Sequence, residues 1–290
     1  MPSPLDELSI RRLNPGDLHS CADLSENRGW PREEHKWSLL LAAGTGYGID
    51  DPQGKGLGTA CVVTSYRGIG AGDPGLAAIG MVLVAEEYTR QGIGRRLMKH
   101  VLAAYPETPL SLHATPYGQP LYEELGFLAT GRAEMIRGRF RPHGPAPKAA
   151  TRPATARDLQ AILRLDGEVF GVDRTQMITR LPAFADQFRV AEDATGVTGY
   201  AAAWPTAAND VVGPLVARDT ETAKALIASL AAGTDRPLRT DIDVRHQELL
   251  DWAKAGGMEP VTFNAVMTYG IPGLPGDWTR RFAPLTVAAG

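Results

Sequence analysis

The chain has 290 residues, of which 43% are hydrophobic and 22% are charged, and its formal net charge is −3 at pH 7. This length allows two domains, and the charge provides no basic surface of the kind that nucleic-acid binding requires. The two cysteines, Cys21 and Cys61, form no disulfide framework or CxxC spacing, and no signal peptide or bilayer-spanning segment is recognisable. We therefore predict a cytoplasmic protein without a metal, nucleic-acid or membrane partner.

The chain contains two related halves. "IRRLNPGDLHSCADL" near the N-terminus resembles "TRPATARDLQAILRL" in the middle, and the later pairs "GTACVV"/"GYAAAW", "IGMVLV"/"VGPLVA" and "EMIRG"/"VMTYG" follow in the same order. A segment rich in proline and glycine separates the two sets. Several matches in one order indicate a duplicated unit. We predict an N-terminal unit over residues 1–140, a linker over 141–150 and a C-terminal unit over 151–290.

Each half shows the same succession of elements. A short strand, a helix and a second helical stretch (31–44; 173–184) come first, and a hairpin around the turn "DPQGKG" follows in the first half. The first half then continues with a strand over Leu76–Val84, a helix over Gly94–Tyr105, a strand over Leu110–Thr115, a helix over Gln119–Leu125 and a closing strand. This order predicts a mixed α/β fold with a central sheet and helices on both faces.

The stretch "YTRQGIGRRLM" (88–98) predicts an anion site. It joins the apolar strand "LAAIGMVLV" to a helix whose apolar face includes Leu97 and Val101. Glycines before a helix let main-chain N–H groups turn toward an anion, and the helix N-terminus adds partial positive charge. The pattern is neither a P-loop nor a dinucleotide fingerprint. The second glycine-rich stretch, "GKGLGTA" (54–60), has no helix after it and indicates a hairpin turn.

Two motifs carry a resemblance to a known family. "VLVAEEYTRQGIGRRLM" is similar to the acyl-CoA pyrophosphate motif [QR]-x-x-G-x-[GA] of the GCN5-related N-acetyltransferases (GNAT), with Gly92 and Gly94 at the small positions and Thr89 in place of Gln or Arg. "LYEELGF" resembles the family's Y-x-x-x-G-F, which begins here at Tyr122. The resemblance covers roughly residues 8–138 and repeats in outline in the second half.

The resemblance implies two tandem GNAT folds, each with a twisted, mostly antiparallel sheet between helices. It also implies transfer of an acetyl group from acetyl-CoA to the amine of a small molecule, by direct attack in a ternary complex. By resemblance, Tyr122 is the general acid that protonates the coenzyme A sulfur. The implied coenzyme-binding residues are Val82, Leu83, Val84, Thr89, Arg90, Gln91, Gly92, Ile93, Gly94 and Arg95.

The general base and the acceptor site are less clearly marked in the sequence. His113, on the strand "LSLHAT", has a useful unperturbed pKa, but a water chain to bulk solvent is an alternative proton acceptor. Trp30 and Trp37 are predicted to form an acceptor wall, with ordinary packing of these side chains on the core as the alternative. Thr115 stands where the family often has Asn and is the third predicted acceptor residue.

The second half keeps the frame without these chemical groups. Its connection after "VGPLVA" is shorter and lacks the glycine pair, and the tyrosine position falls on Ala253 or Trp252. We predict a degenerate unit that packs on the first and shapes its acceptor pocket, with a C-terminal tail that packs back on the core. An acyl-CoA sensor and a protein N-acetyltransferase remain alternative functions. Both a monomer, as an internal pseudo-dimer, and a homodimer remain open.

Overall fold

The computed structural model describes residues 7–290. Its helices are α1 (Leu18–Asn27), α2 (Glu34–Ala43), α3 (Ile93–Ala104), α4 (Gln119–Glu124), α5 (Leu159–Phe170), α6 (Thr175–Ile178), α7 (Leu181–Phe184), α8 (Thr220–Ala231) and α9 (Gln247–Ala255). Its strands are β1 (Arg11–Leu13), β2 (Thr45–Asp50), β3 (Leu57–Gly68), β4 (Leu76–Val84), β5 (Leu110–Ala114), β6 (Leu128–Gly138), β7 (Ala150–Pro153), β8 (Val172–Asp173), β9 (Gln187–Asp193), β10 (Gly196–Pro205), β11 (Asp210–Ala217), β12 (Leu238–Asp243), β13 (Glu259–Tyr269) and β14 (Arg281–Ala283).

One continuous mixed sheet runs through both halves. Its main path has the order β1-β2-β3-β4-β5-β13-β6-β12-β11-β10-β9-β7. The pairing is mostly antiparallel, and the exceptions are the parallel pairs β4–β5 and β11–β12 at equivalent places in the two halves. This architecture confirms the mixed α/β fold expected from the element order.

The two halves exchange their closing strands. β13 of the second half pairs with β5 of the first, and β6 of the first half pairs with β12 of the second. β6 and β13 also pair with each other along most of their length, at the centre of the sheet. Neither half therefore completes its sheet with its own last strand, and the division into separate units at 1–140 and 151–290 stays a prediction.

The helices cover both faces of the sheet. α3 packs Leu97 and Val101 against Ile79 of β4 and Leu112 of β5 on one face. On the other face, apolar residues of α1 and α2 share a single buried cluster with residues of α5, α6 and α7. The two halves thus bury one common core on the face opposite α3, and this is the face on which the end of the chain also lies.

Most element predictions agree with the structure within one residue. β4 spans the predicted residues, α3 begins one residue early and β5 ends one residue early. The stretch 173–184 differs, because it forms two short helices instead of one. Pro182 lies in the first turn of α7, where its missing N–H is tolerated, and a continuous helix through it would lose a hydrogen bond. No helix among residues 7–290 is long and apolar enough to cross a membrane.

Candidate functional site

A bulge bends β4 next to the glycine loop. In the pairing of β3 with β4, Ala60 faces Leu83 and Val62 faces Gly80, so Cys61 alone stands opposite Met81 and Val82. Met81 has φ of 53°, a left-handed conformation that is uncommon for a residue with a side chain. A bulge of this kind turns main-chain groups away from the regular ladder and is over-represented beside active sites.

Beyond this bend, β4 and β5 separate. Their parallel pairing runs only from Ala77–Leu110 to Ile79–Leu112, whereas β4 continues as a strand to Val84. The part of β4 that contains Val82, Leu83 and Val84 therefore has no strand partner on its β5 side within residues 7–290. This leaves a cleft along the main chain of these three residues, which are among those predicted to bind the coenzyme.

The loop between β4 and α3 is held by its own hydrogen bonds. The Thr89 hydroxyl donates to the Glu86 carbonyl at 2.8 Å, and the Gln91 amide donates to the Glu87 carbonyl at 2.8 Å. The Tyr88 hydroxyl donates to the Asp51 carboxylate at 2.6 Å, and this bond raises the pKa of Tyr88 to about 12. The hairpin turn of the first half thus anchors the loop that precedes α3.

The N-terminus of α3 is uncapped and open. Its N-cap residue, Gly92, has φ of 83° and no side-chain cap, and a Cβ added there would have no heavy atom within 4 Å. The first helical hydrogen bond runs from the N–H of Arg96 to the carbonyl of Gly92. The N–H groups of Ile93, Gly94 and Arg95 precede it and lie in the first turn, where helices bind anions.

Two of the charged side chains predicted around this loop have different surroundings. The guanidinium of Arg95 pairs with Glu124 of α4, so its charge is shared with a carboxylate. Arg90 is exposed at the turn before Gly92, with φ of 58°. The loop therefore combines an open helix N-terminus with two exposed arginines, one of which is paired with Glu124, and this arrangement suits a diphosphate group.

Tyr122 lies on α4 behind the cleft. Its ring is buried, in one apolar cluster with Cys61 and Ile79, and meets the Phe127 ring edge-on at 6.0 Å between centroids. Burial raises the pKa of Tyr122, and nearby Cys61 raises it further. The phenol is therefore protonated at neutral pH, which is the state that a general acid needs.

His113 lies on the other face of the sheet from Tyr122. It is partly buried beneath the end of the chain, and its ring is hydrogen-bonded to the main chain of Val287. Burial first, and then the charge of Arg281, lower its pKa from 6.5 to about 4. His113 is therefore neutral at pH 7 but weakly basic, and its role as a general base stays a prediction.

The three predicted acceptor residues have different environments. Trp37 is fully buried and donates from its indole N–H to the Ser25 hydroxyl at 2.8 Å, so it follows the core-packing alternative. Trp30 is 39% exposed in the turn before α2. Thr115 is partly buried, and both its hydroxyl and its carbonyl accept from the N–H of Gly118 at the start of α4. A role in acceptor binding stays a prediction for Trp30 and Thr115.

In the second half, the chain itself fills the cleft that corresponds to the one between β4 and β5. β11 and β12 pair only at Asp210–Leu238 and Val211–Arg239, and β14 then pairs with the free edge of β11. Phe282 of β14 lies in the apolar cluster beneath α8 and α9. The sequence predicted a tail that packs back on the core, but no local pattern indicated which cleft it would enter.

The tail continues from the second half to the first. A Cβ at Gly213 of β11 would overlap the carbonyl oxygen of Pro284, and a Cβ at Gly80 of β4 would overlap that of Ala288. The tail thus lies against equivalent glycines of two bent strands, since β11 also has a bulge in its pairing with β10. It also contacts Tyr66 and Arg174, two residues that the sequence analysis missed because neither belongs to a local motif.

Two different family models, both described as an acetyltransferase (GNAT) domain, match the chain, one over residues 68–140 and the other over residues 162–283. The chain is 30% identical over 251 residues to the uncharacterized N-acetyltransferase YitH of Bacillus subtilis, which covers 85% of this chain and 86% of the relative.

Solved structures show the same fold. A protein from Pyrococcus horikoshii assigned as an acetyltransferase has a TM-score of 0.81 at 19% identity, covering 98% of this chain and 96% of that one. A tandem GNAT protein from the clavulanic acid biosynthesis pathway has a TM-score of 0.64 at 17% identity, covering 91% and 98%. With its two matched halves and a relative similar over most of its length, this chain belongs to the GNAT family as a tandem member and is an acyltransferase.

Proposed function

We propose that the chain transfers an acetyl group from acetyl-CoA to the amine of a small molecule, using a single coenzyme site in the first half. The observation that carries the proposal is the cleft beyond Ile79, which leads along β4 to the open N-terminus of α3. The free edge of β4 suits a pantetheine arm that bonds like a strand, and the first turn of α3 suits the pyrophosphate. The coenzyme supplies an activated thioester carbonyl.

The residues around the bend fit the needs of this transfer. Main-chain N–H groups turned out of the ladder at Met81 and Val82 are suited to stabilise negative charge on the carbonyl oxygen. The protonated phenol of Tyr122 is suited to neutralise the departing thiolate. The acceptor then approaches from the face opposite α3, where His113 lies and where the second half and the tail cover the sheet.

Because the second half and the tail cover this face of the sheet, a small-molecule acceptor is favoured over a protein acceptor. A protein N-acetyltransferase needs an open groove, whereas here residues of α5–α7 and of the tail share the core against which an acceptor would lie. A non-catalytic sensor has no use for a general acid at Tyr122. Release of free thiol from acetyl-CoA in the presence of pooled small amines tests this choice, and binding without any thiol release would support the sensor.

Calorimetry with acetyl-CoA tests the single site. We expect one site per chain, because β14 fills the second cleft and Asp219 caps α8. Two comparable sites per chain would contradict the proposal.

A matched pair of glycine variants tests the location of this site. We expect Gly92→Val to weaken acetyl-CoA binding at least about tenfold, because its side chain enters the space left for the pyrophosphate. Gly54→Val is the control, since Gly54 also has positive φ, 73°, and open space around its Cβ position. Equal affinities of the two variants would place the coenzyme elsewhere.

A further inference from the structure

The tail residues Leu285–Gly290 cover the point where β4 and β5 separate. Ala288 lies against Gly80, next to the last β4–β5 pair, Ile79–Leu112. Leu285, Ala288 and Ala289 are buried in the cluster on the face opposite α3. If the coenzyme binds as proposed, this is the face from which the acceptor must reach the thioester.

Three side chains bond to the main chain of this tail. The Tyr66 hydroxyl donates to the Ala289 carbonyl, and Nη1 of Arg174 donates to the Gly290 carbonyl at 2.8 Å. His113 is hydrogen-bonded to the main chain of Val287. This bond raises the pKa of His113, as donation from the ring to a carbonyl does, and so favours the protonated ring. These side chains come from β3, the turn before α6 and β5. The site therefore holds a run of main-chain polar groups, whereas the side chains it accommodates are a valine and two alanines.

Arg174 is held in place without help from the tail. It is buried and donates to both carboxylate oxygens of Asp166, from Nη2 at 2.7 Å and from Nε at 3.1 Å. The Tyr200 hydroxyl also donates to Asp166, and the guanidinium stacks on the Phe170 ring at 3.2 Å. These contacts fix the direction of Nη1, so the site is organised for a carbonyl or carboxylate oxygen before one arrives.

Unused polar groups lie beside the tail. Oδ2 of Asp243 and Nε of Arg281 are buried, and neither has a hydrogen-bond partner in the described part of the chain. Both residues line one small cavity together with His113 and Gly290. Buried polar atoms without partners are uncommon, and these two remain able to bond to a ligand that enters the cavity. A ligand with both a donor and an acceptor group would satisfy the Asp243 carboxylate and the Arg281 guanidinium better than the tail alone.

We propose that the surface beneath residues 285–290, which includes Tyr66, His113 and Arg174, is the acceptor site. It recognises small amines that carry amide or carboxylate carbonyls, and residues 285–290 are an internal occupant that competes with the acceptor. The statement that the ligand of this surface is the acceptor rests on the proposed function. The recognition of carbonyl groups is independent of catalysis and can be measured without coenzyme.

The first test uses a chain that lacks residues 286–290 and the blocked peptide N-acetyl-Val-Ala-Ala-Gly, which has no amine to react. We expect the shortened chain to bind the peptide and the full chain to bind it at least about tenfold more weakly, because its site is occupied. Tyr66→Phe in the shortened chain should weaken peptide binding about threefold to tenfold, the usual effect of one hydrogen bond. Tyr47→Phe is the control, since Tyr47 is buried on the other face of the sheet.

A folded shortened chain that does not bind the peptide, or that binds it no better than the full chain, would overturn the proposal. Folding is checked by thermal denaturation, and acetyl-CoA affinity is measured on the same preparations. Failure of both the full and the shortened chain to bind acetyl-CoA would count against the proposed function alone, because the peptide result does not depend on the coenzyme.

A second measurement on the full chain covers the case in which the shortened chain does not fold. The N–H groups of Ala289 and Gly290 donate to the Thr286 carbonyl, so hydrogen exchange at these amides reports on the docked tail. We expect excess alaninamide to speed their exchange, and butylamine, which has no carbonyl, to leave it unchanged. Equal exchange with both amines would overturn the proposal.

Discussion

The helices that follow the two bent strands begin in opposite ways. After β4, residues 85–92 form a loop that ends at the uncapped Gly92, whereas β11 and α8 are joined only by Arg218 and Asp219. Asp219 accepts from the N–H of Thr222 at 2.8 Å, so a carboxylate occupies the N-terminus of α8. The same frame thus leaves the helix N-terminus open to an anion in one half and closes it with a carboxylate in the other.

The cleft between β4 and β5 is open and the one between β11 and β12 is filled, so the clefts differ in the same way as the helix N-termini. The free edge of β4 has no strand partner among residues 7–290, but β14 pairs with the corresponding edge of β11 through Leu215–Ala283 and Val216–Arg281. In the second half, another part of the chain thus fills the cleft that no strand of residues 7–290 fills in the first half. The second half contributes a strand to the sheet beside β5 and shares the core on the face opposite α3 with the first half.

Replacing Tyr122 gives the largest expected effect and tests whether the first half alone carries the chemistry. Tyr122→Phe should lower turnover about a hundredfold or more, equivalent to about 2.7 kcal/mol in the barrier, because the acid that neutralises the thiolate is lost. Acetyl-CoA affinity should change little, since the ring still packs on Phe127. Turnover and calorimetry on one preparation check this.

The control for Tyr122→Phe is Tyr47→Phe, which removes a hydroxyl from the same apolar cluster. We expect it to retain turnover. Unchanged turnover in well-folded Tyr122→Phe would show that the tyrosine only packs, and the two halves would then differ in coenzyme binding alone.

Alanine at the two equivalent glycines should separate the fixed part of the tail from the displaceable part. At Gly213 the new Cβ meets the carbonyls of Pro284 and Leu285, which follow directly on the pairing of β14. We expect Gly213→Ala to lower the free energy of unfolding by about 2 kcal/mol. Gly80→Ala should cost clearly less, because Ala288 lies beyond β14 and can move away. Urea denaturation measures both, and equal losses would show that the whole tail is fixed.

The smallest effect concerns the pH dependence of stability at His113. Burial lowers its pKa in the folded chain from 6.5 to about 4, so between these values the unfolded chain binds a proton that the folded chain does not. The contribution of His113 to the free energy of unfolding is fully present above pH 6.5 and is lost as the pH falls toward 4. Relative to His113→Gln, we expect the wild type to lose about 1.8 kcal/mol between pH 7 and 5.

Denaturation curves of both proteins across this pH range test the pKa. The comparison with His113→Gln removes the contribution of His246, whose pKa is also lowered by burial. Parallel pH profiles of the two proteins would mean that burial does not lower the pKa of His113 in the folded chain.

The sequence predicted the elements of the first half well because their signals are local. An apolar run of strand length, followed by a glycine loop and an amphipathic helix, specifies β4, the loop and α3 through interactions within a few residues. Gly92 and the Y-x-x-x-G-F pattern at Tyr122 belong to the same class of signal. Trp37 shows the limit of this reasoning, because an aromatic side chain in a plausible region turned out to be fully buried.

By itself, the sequence determined the duplicated frame, the family resemblance and the absence of a second glycine loop, since each is written in short, continuous patterns. Only the tertiary structure decided the exchange of β6 and β13, the entry of β14 into the second cleft and the position of Ala288 against Gly80. These features join segments that are far apart in the chain. Their geometry depends on which free strand edge and which apolar face remain after the local elements have formed, and that competition leaves no periodic trace in the sequence.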